Sequence, residues 1–233
     1  MIYVTGDTHG YIDIEKLSYR NSPFLKGLTK DDYVIVCGDF GLVWDNSKGE
    51  QHWRKWLEEK SFTTLFVDGN HENHNMLDAY PVEAWNGGNI HRISDSIIHL
   101  MRGQVYEVKG LKFFTMGGAE SHDKEYRVED VSWWRREMPS KEEMDHAVMN
   151  LRKNDFKVDY VISHCAPSSV QREIEGNLHL HYEDNFFTDW LDDLITQYGL
   201  RYCKWYCGHY HFGMRSKKCE GLEILYGAVQ ELQ

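Results

Sequence analysis

Long hydrophobic runs are missing from this chain: its longest uninterrupted apolar stretch is Tyr33-Val34-Ile35-Val36-Cys37, far short of the ~20 residues needed to cross a bilayer. We therefore expect a soluble protein with no membrane partner. Basic charge is also short. Lys+Arg 26 against Asp+Glu 37 leaves a formal net charge of −11, which speaks against a surface that tracks nucleic-acid backbone, so a long nucleic-acid partner is not expected. Cysteine is sparse, and its odd count of five at irregular spacing makes no disulfide framework, as in a reducing cytoplasm. Proline occurs only four times, in scattered turns, and there is no repeat, low-complexity tract or Pro/Ser/Gly-rich linker, so we expect one domain over residues 1–233. The opening Met1-Ile2-Tyr3-Val4-Thr5 has no basic segment ahead of an apolar one, which predicts no cleavable secretion signal and a cytoplasmic location. What is present is core material. At 41% hydrophobic and 14% aromatic, the 233 residues can bury a sizeable interior, which excludes a disordered chain and a disulfide-stapled mini-protein.

Short β-rich runs at 2–5, 33–37, 63–67, 112–116, 159–163 and 202–207 predict strands, mostly bounded by glycine. Between several of them the period changes to that of a helix. Ser140 and Glu143 form a capping-box pattern ahead of Met144, Ala147, Val148 and Leu151, predicting a helix over 140–153. A second stripe runs through Phe187, Trp190, Leu191, Leu194, Ile195 and Tyr198, and a shorter one through Trp53, Trp56 and Leu57. The stretches 90–116 and 213–226 read as antiparallel. The expectation is an α/β (α+β) fold in which sheets pack as a sandwich with helices outside.

Five of the strand runs end on residues that bind metals. The first leads into Gly6-Asp7-Thr8-His9-Gly10, the second into Gly38-Asp39-Phe40-Gly41 and the third into Asp68-Gly69-Asn70-His71-Glu72. The fifth ends at His164 and the sixth at Gly208-His209-Tyr210-His211. Loops at the carboxyl ends of strands in an α/β sheet converge on one crevice, so residues distant in sequence can meet there. Two aspartates, an asparagine and five histidines are more than one ion needs. Imidazole, carboxylate and carboxamide donors without thiolate suit manganese, iron, zinc or cobalt better than magnesium or calcium. Two divalent ions against two aspartates leave a site of about +2, which attracts phosphate. Ions ~3.5–4 Å apart can lower the pKa of a shared water and clamp an in-line displacement at phosphorus.

In this order, the blocks Gly6-Asp7-Thr8-His9, Gly38-Asp39, Gly69-Asn70-His71-Glu72, His164 and Gly208-His209-Tyr210-His211 resemble those of the calcineurin-like metallophosphoesterases. The resemblance implies two mixed β-sheets packed face to face and flanked by helices, with two divalent or mixed-valence metal ions, manganese, iron or zinc, at the strand ends. It implies that Asp7, His9 and His211 hold one metal, that Asn70, His164 and His209 hold the other, and that Asp39 bridges them. Catalysis would then rest on attack by a bridging hydroxide, with Asn70 stabilising charge on the phosphoryl oxygens and His71, outside the ligand set, donating a proton to the leaving oxygen. The implied enzyme is a hydrolase, a phosphatase or phosphodiesterase acting on a small phosphorylated substrate or nucleotide.

The resemblance departs from serine/threonine protein phosphatases after Asp39, where Leu42 and Val43 stand in place of an Asp and an Arg. Asp45 or Glu72 could supply the missing carboxylate beside His71. The run through Trp44, with Met101-Arg102-Gly103-Gln104, is closer to small bacterial or phage-type phosphoesterases. A protein phosphatase, a non-catalytic scaffold and a structural zinc protein are the alternatives; the last needs thiolates, and Cys203 and Cys207 are read as core packing. Trp44, Trp85, Trp133, Trp134 and Tyr182 are candidate rim aromatics, equally suited to a homodimer contact. Arg102, Arg127, Arg135 and Arg136 are candidates for gripping substrate. His122 is one more histidine to watch, while His52, His74, His91, His99, His146, His179 and His181 are assigned to surface or core.

Overall fold

The computed structural model describes residues 1–178, 182 and 184–232. In chain order come strand β1 (Ile2–Thr5), β2 (Tyr33–Val36), helix α1 (Lys48–Glu58), β3 (Thr63–Phe66), the short helix α2 (His74–Asp78), β4 (Val82–Trp85), β5 (Gly88–Ser94), β6 (Ile97–Leu100), β7 (Gln104–Val108) and β8 (Leu111–Met116). Then follow α3 (Lys141–Lys153), β9 (Tyr160–Ser163), α4 (Ser168–Leu178), α5 (Phe186–Thr196), β10 (Lys204–Cys207), β11 (Met214–Arg215), β12 (Leu222–Ile224) and β13 (Val229–Glu231). Among the described residues the strands make two mixed sheets, one in the order β13-β1-β2-β3-β6-β5-β4 and the other in the order β11-β12-β10-β9-β8-β7. Each sheet has a parallel centre: β1, β2, β3 and β6 in the first, β8, β9, β10 and β12 in the second. Antiparallel strands border each centre.

The central strands read as continuous apolar runs because both faces are buried. On the first sheet Ile2, Val4, Ile35, Cys37, Leu65 and Val67 face inward, meeting Phe113, Tyr160, Ile162 and Tyr206 of the second. The intervening Tyr3, Val34, Val36 and Phe66 turn outward beneath Leu57 of α1 and Leu77 of α2. On the far side, Phe114, Val161 and Trp205 pack under Leu151 of α3, Ile174 of α4, and Leu191 and Leu194 of α5. Helix α3 carries the expected capping box, with Glu143 N donating to the Ser140 side chain and Ser140 N to the Glu143 carboxylate. No described helix is long and apolar enough to cross a membrane.

The structure corrects several details. Tyr198 lies beyond the end of α5, and α4 carries no clear helical stripe in sequence, since Val170 and Ile174 are the apolar side chains it buries among its described residues. The stretch 90–116 is antiparallel within each of its two pairs, but β5–β6 belongs to the first sheet and β7–β8 to the second, and β6 also pairs in parallel with β3. Cys203 precedes β10 and is exposed, so of the cysteine pair only Cys207 packs in the core. Trp85 sits against the inter-sheet core, edge-on to Tyr33 at 5.9 Å, and is no rim residue. His179 and His181 lie outside the described residues.

Candidate metal centre

The carboxyl ends of β1, β2 and β3 in one sheet, and of β9 and β10 in the other, deliver the predicted side chains to a single cleft between the sheets. Donor atoms of Asp7, His9, Asp39 and His211 all lie within 4.8 Å of one another. His9 Nε2 is 3.3 Å from Asp39 Oδ2 and 4.0 Å from Asp7 Oδ2, and His211 Nε2 is 3.4 Å from Asp7 Oδ2. A second group meets the other side of Asp39. His164 Nε2 is 3.3 Å from Asp39 Oδ1 and 3.2 Å from Asn70 Oδ1. The His209 ring packs 5.0 Å from that of His164, and its backbone N–H donates to both carboxylate oxygens of Asp7 at 2.9 and 3.1 Å. His71 sits beside the first group, its ring 5.6 Å from that of His9, and its N–H donates to Asp39 Oδ1 at 2.8 Å.

These loops hold one another. Thr8 N and His9 N donate to the Asp39 carbonyl, and His164 Nδ1 lies 2.8 Å from the Cys37 carbonyl, tying the second sheet to the first. The glycines ahead of Asn70 and His209 answer to crowding: a Cβ on Gly69 would fall 2.1 Å from Asp39 Oδ1, and one on Gly208 would fall 1.9 Å from Asp7 Oδ1. Both are impossible approaches for a larger residue.

The electrostatics are those of buried carboxylates demanding positive charge. Burial alone would lower the His9 and His164 pKa values, but Asp39, aided by Asp13 at His9 and by Asp7 at both, outweighs it and lifts them to about 9 and about 10. Burial would raise Asp39, yet His164 and His9 hold it well below the ordinary carboxylate range. His209 lies among other imidazoles, and burial and the His164 charge push it well below the usual histidine value. Burial also lowers His71. Oxygen and imidazole donors that converge around two carboxylates, with no thiolate among them, fit divalent metal ions.

Several supporting residues carried no motif. Asp13 Oδ2 lies 2.8 Å from His9 Nδ1, at a spacing of four that the sequence displayed without singling out. Lys16 Nζ is bonded by the carbonyls of Gly6, Asp7 and Tyr226, and burial lowers its pKa to about 8. Asn70 Nδ2 donates to Ser121 Oγ at 3.3 Å, and Ser121 in turn donates to the Glu137 carboxylate at 2.8 Å through both its hydroxyl and its N–H. This chain turns the amide oxygen of Asn70 toward His164. The contacts of Lys16 with Tyr226 and of Asn70 with Ser121 link residues more than fifty positions apart, and no local pattern discloses them.

Other expectations need correction. Glu72 is committed to backbone, accepting from Phe40 N and Gly69 N at 2.6 and 2.7 Å, and Asp45 accepts from Ser47 N at 2.8 Å within its own turn. Leu42 and Val43 are buried in the outer core. All four candidate arginines are ion-paired: Arg102 with Asp68, Arg127 with Asp123, Arg135 with Glu129, and Arg136 with Asp78 and Glu143. Arg127 is close enough to His71 to oppose its protonation. Trp134 is fully buried with Trp44 edge-on against it at 5.2 Å, and Trp44 also lines a cavity with His71. His122 is exposed but stacks near His209, with 5.6 Å between ring centres, and Tyr182 lies as far on its other side. His52 is exposed, His146 half-buried, and His74, His91 and His99 are buried away from the cleft.

Comparison with known proteins bears on this cleft. TT1561 of Thermus thermophilus aligns with a TM-score of 0.50 at 12% identity, over 97% of this chain and 87% of that one, and so shares the fold. The phosphopantetheinyl hydrolase of Mycobacterium tuberculosis aligns with a TM-score of 0.44 at 19% identity, over 97% and 89%. No curated protein matches the chain. The model of the calcineurin-like phosphoesterase family matches residues 1–213, a span that takes in every cluster residue from Asp7 to His211, and the chain belongs to that family.

Proposed function

We propose that this protein is a phosphoesterase that hydrolyses phosphomonoesters or phosphodiesters of small molecules or nucleotides at a dinuclear metal centre, with Asp7, His9, Asp39, Asn70, His164, His209 and His211 as ligands. The observation that carries this reading is the division of labour at Asp39. One of its oxygens lies 3.3 Å from His9 and the other 3.3 Å from His164, so a single carboxylate serves two groups of donors. Manganese, iron and zinc are the ions these donors suit. Held there, divalent ions supply the positive charge that draws in a phosphoester and activates water at neutral pH.

The remaining chemistry belongs to side chains. Asn70 offers a neutral oxygen, which adds a donor without cancelling the charge that attracts substrate. His71 stands over the cleft, where it can hold a proton for the leaving oxygen; burial favours its neutral form, and a bound phosphate dianion favours the charged one. Asp13 fixes the His9 ring through Nδ1, and the Cys37 carbonyl does the same for His164, leaving the Nε2 atoms pointing into the cleft.

Elemental analysis combined with assays on p-nitrophenyl phosphate, bis-p-nitrophenyl phosphate and cyclic nucleotides tests the proposal. Asp39→Asn is expected to lose metal and activity together. His71→Ala is expected to keep its metal and turn over roughly 10²–10⁴-fold more slowly. An inert wild-type protein that binds no metal overturns the enzyme and favours a scaffold, whereas a fully active His71→Ala removes His71 from the mechanism.

A further inference from the structure

We infer that the substrate's leaving alcohol carries a planar, uncharged aromatic ring, and that the cavity beside His71 receives it. This rests on the phosphoesterase reading above and deepens it by naming a substrate class. The cavity, about 460 Å³, falls within the range of small-molecule sites. His9 and His71 close one end of it, so it is continuous with the metal cluster. Its other walls include Leu42, Trp44 and Trp53, with Tyr11 and Ile12 at the turn that follows His9. Those last two are large hydrophobic side chains left 70% and 66% exposed beside the most polar part of the molecule. Trp44 is fixed by its edge-on contact with buried Trp134, and Trp53 packs edge-on to Trp56 at 5.3 Å. Rigid indole walls favour a flat ring over a flexible chain.

Charge narrows the class further. No lysine or arginine lines this cavity, and its carboxylates are Asp45 and Glu50. Glu50 is already engaged, accepting from the N–H groups of Trp44, Asp45 and Asn46 at 2.9, 2.8 and 3.2 Å. Away from the end closed by His9 and His71, a leaving group with a second phosphate would therefore meet Asp45 with no lysine or arginine among the described lining residues to answer it. On the opposite flank of the cluster the cavity differs in kind: about 260 Å³, polar, and lined by Ser121, His122, Gln171, Asn185 and Thr188 around His209. Because His71 belongs to the apolar wall, the alcohol that takes its proton lies on the apolar side.

The test uses inert ligands first. Calorimetric titration of the manganese-loaded full chain with phenylphosphonate and with methylphosphonate is expected to show about tenfold tighter binding of the phenyl compound. Ile12→Asp, on the exposed turn, is expected to bring the two affinities within about twofold of each other, and Tyr11→Ser to narrow the gap in the same direction. Benzyl phosphate against ethyl phosphate, alcohols of similar basicity, gives the matching ratio of kcat/KM. Equal wild-type affinities for the two phosphonates, or an Ile12→Asp protein that keeps the tenfold gap, overturn the aromatic assignment while leaving the phosphoesterase intact. A metal-loaded protein that binds neither phosphonate and hydrolyses neither these two esters nor bis-p-nitrophenyl phosphate overturns the phosphoesterase reading itself.

Discussion

Arg102 offers the sharpest test of how this cleft is held together. It is one of four arginines that the sequence offers for gripping substrate, yet the structure buries it behind the cleft. Its Nε donates to Asp68 Oδ2 at 2.8 Å, and one terminal nitrogen donates to the same oxygen and to the carbonyls of Arg136 and Glu137 at 2.7 and 3.2 Å. The other terminal nitrogen is 3.4 Å from Glu143, the carboxylate of the capping box on α3. Asp68 is itself 1% exposed and directly precedes Gly69, Asn70 and His71. Replacing Arg102 with Met keeps much of the volume and removes the charge, leaving the Asp68 carboxylate buried with His99, at 3.2 Å, as its nearest remaining partner and without its closest cation. Breaking one side of a buried pair costs about 3–5 kcal/mol, a large share of the ~5–15 kcal/mol by which a domain is stable. For a chain of this size that lowers Tm by roughly 6–20 °C. Adding Asp68→Asn removes the uncompensated charge and should recover most of the loss, giving a strong coupling in a double-mutant cycle. Thermal and urea unfolding of the four proteins measure it. If Arg102→Met melts with the wild type and instead raises KM for a phosphoester, Arg102 is a substrate ligand and the burial argument fails.

Two further outcomes follow from steric and titration arguments. Gly208→Ala would press a methyl group to 1.9 Å from Asp7 Oδ1 and 2.9 Å from the Cys37 carbonyl, so we expect about 1–3 kcal/mol of destabilisation and weakened metal retention. Gly176→Ala, which meets nothing within 4 Å in the last turn of α4, should instead stabilise by about 0.4–1 kcal/mol; equal unfolding midpoints for the two variants would refute the steric account. For His74, burial first and then the Arg102 charge depress the pKa to about 3, so the folded state keeps this imidazole neutral where the unfolded chain protonates it. Its contribution is complete above pH ~6.5 and is lost as pH falls toward 3, at about 1.4 kcal/mol per pH unit. Urea unfolding between pH 6 and 4.5 should therefore show a shallower loss for His74→Leu than for wild type, and parallel slopes would contradict the assignment.

The ligand-bearing loops were legible because each follows a continuous apolar run, and such runs mark strands buried on both faces, whose carboxyl ends share one edge. Helix α3 was legible for a similar reason, since its start signal and its period agree. The parallel pairing of β6 with β3 was not, because register across the thirty residues between them, which include α2, β4 and β5, leaves no trace in local pattern. Nor were the residues that orient the ligands. Ser121 and the Asp68–Arg102 pair act through partners far away in sequence, and Asp13, though only four residues from His9, reads as a turn residue until its partner is known.

Backbone strain explains why that hidden support is needed. His9, Asp39, His209 and His211 all adopt left-handed φ values, between 43° and 70°, which non-glycine residues take only when their surroundings compel it. Two of the four are pinned by another loop of the cluster: His9 N donates to the Asp39 carbonyl, and His209 N to the Asp7 carboxylate. The loops of the cluster therefore brace one another through their own hydrogen bonds, and Gly69 and Gly208 are required by proximity, since a Cβ at either would strike a carboxylate. A substitution that loosens one loop should then disturb both halves of the cluster at once, because Asp39 and Asp7 are shared between them.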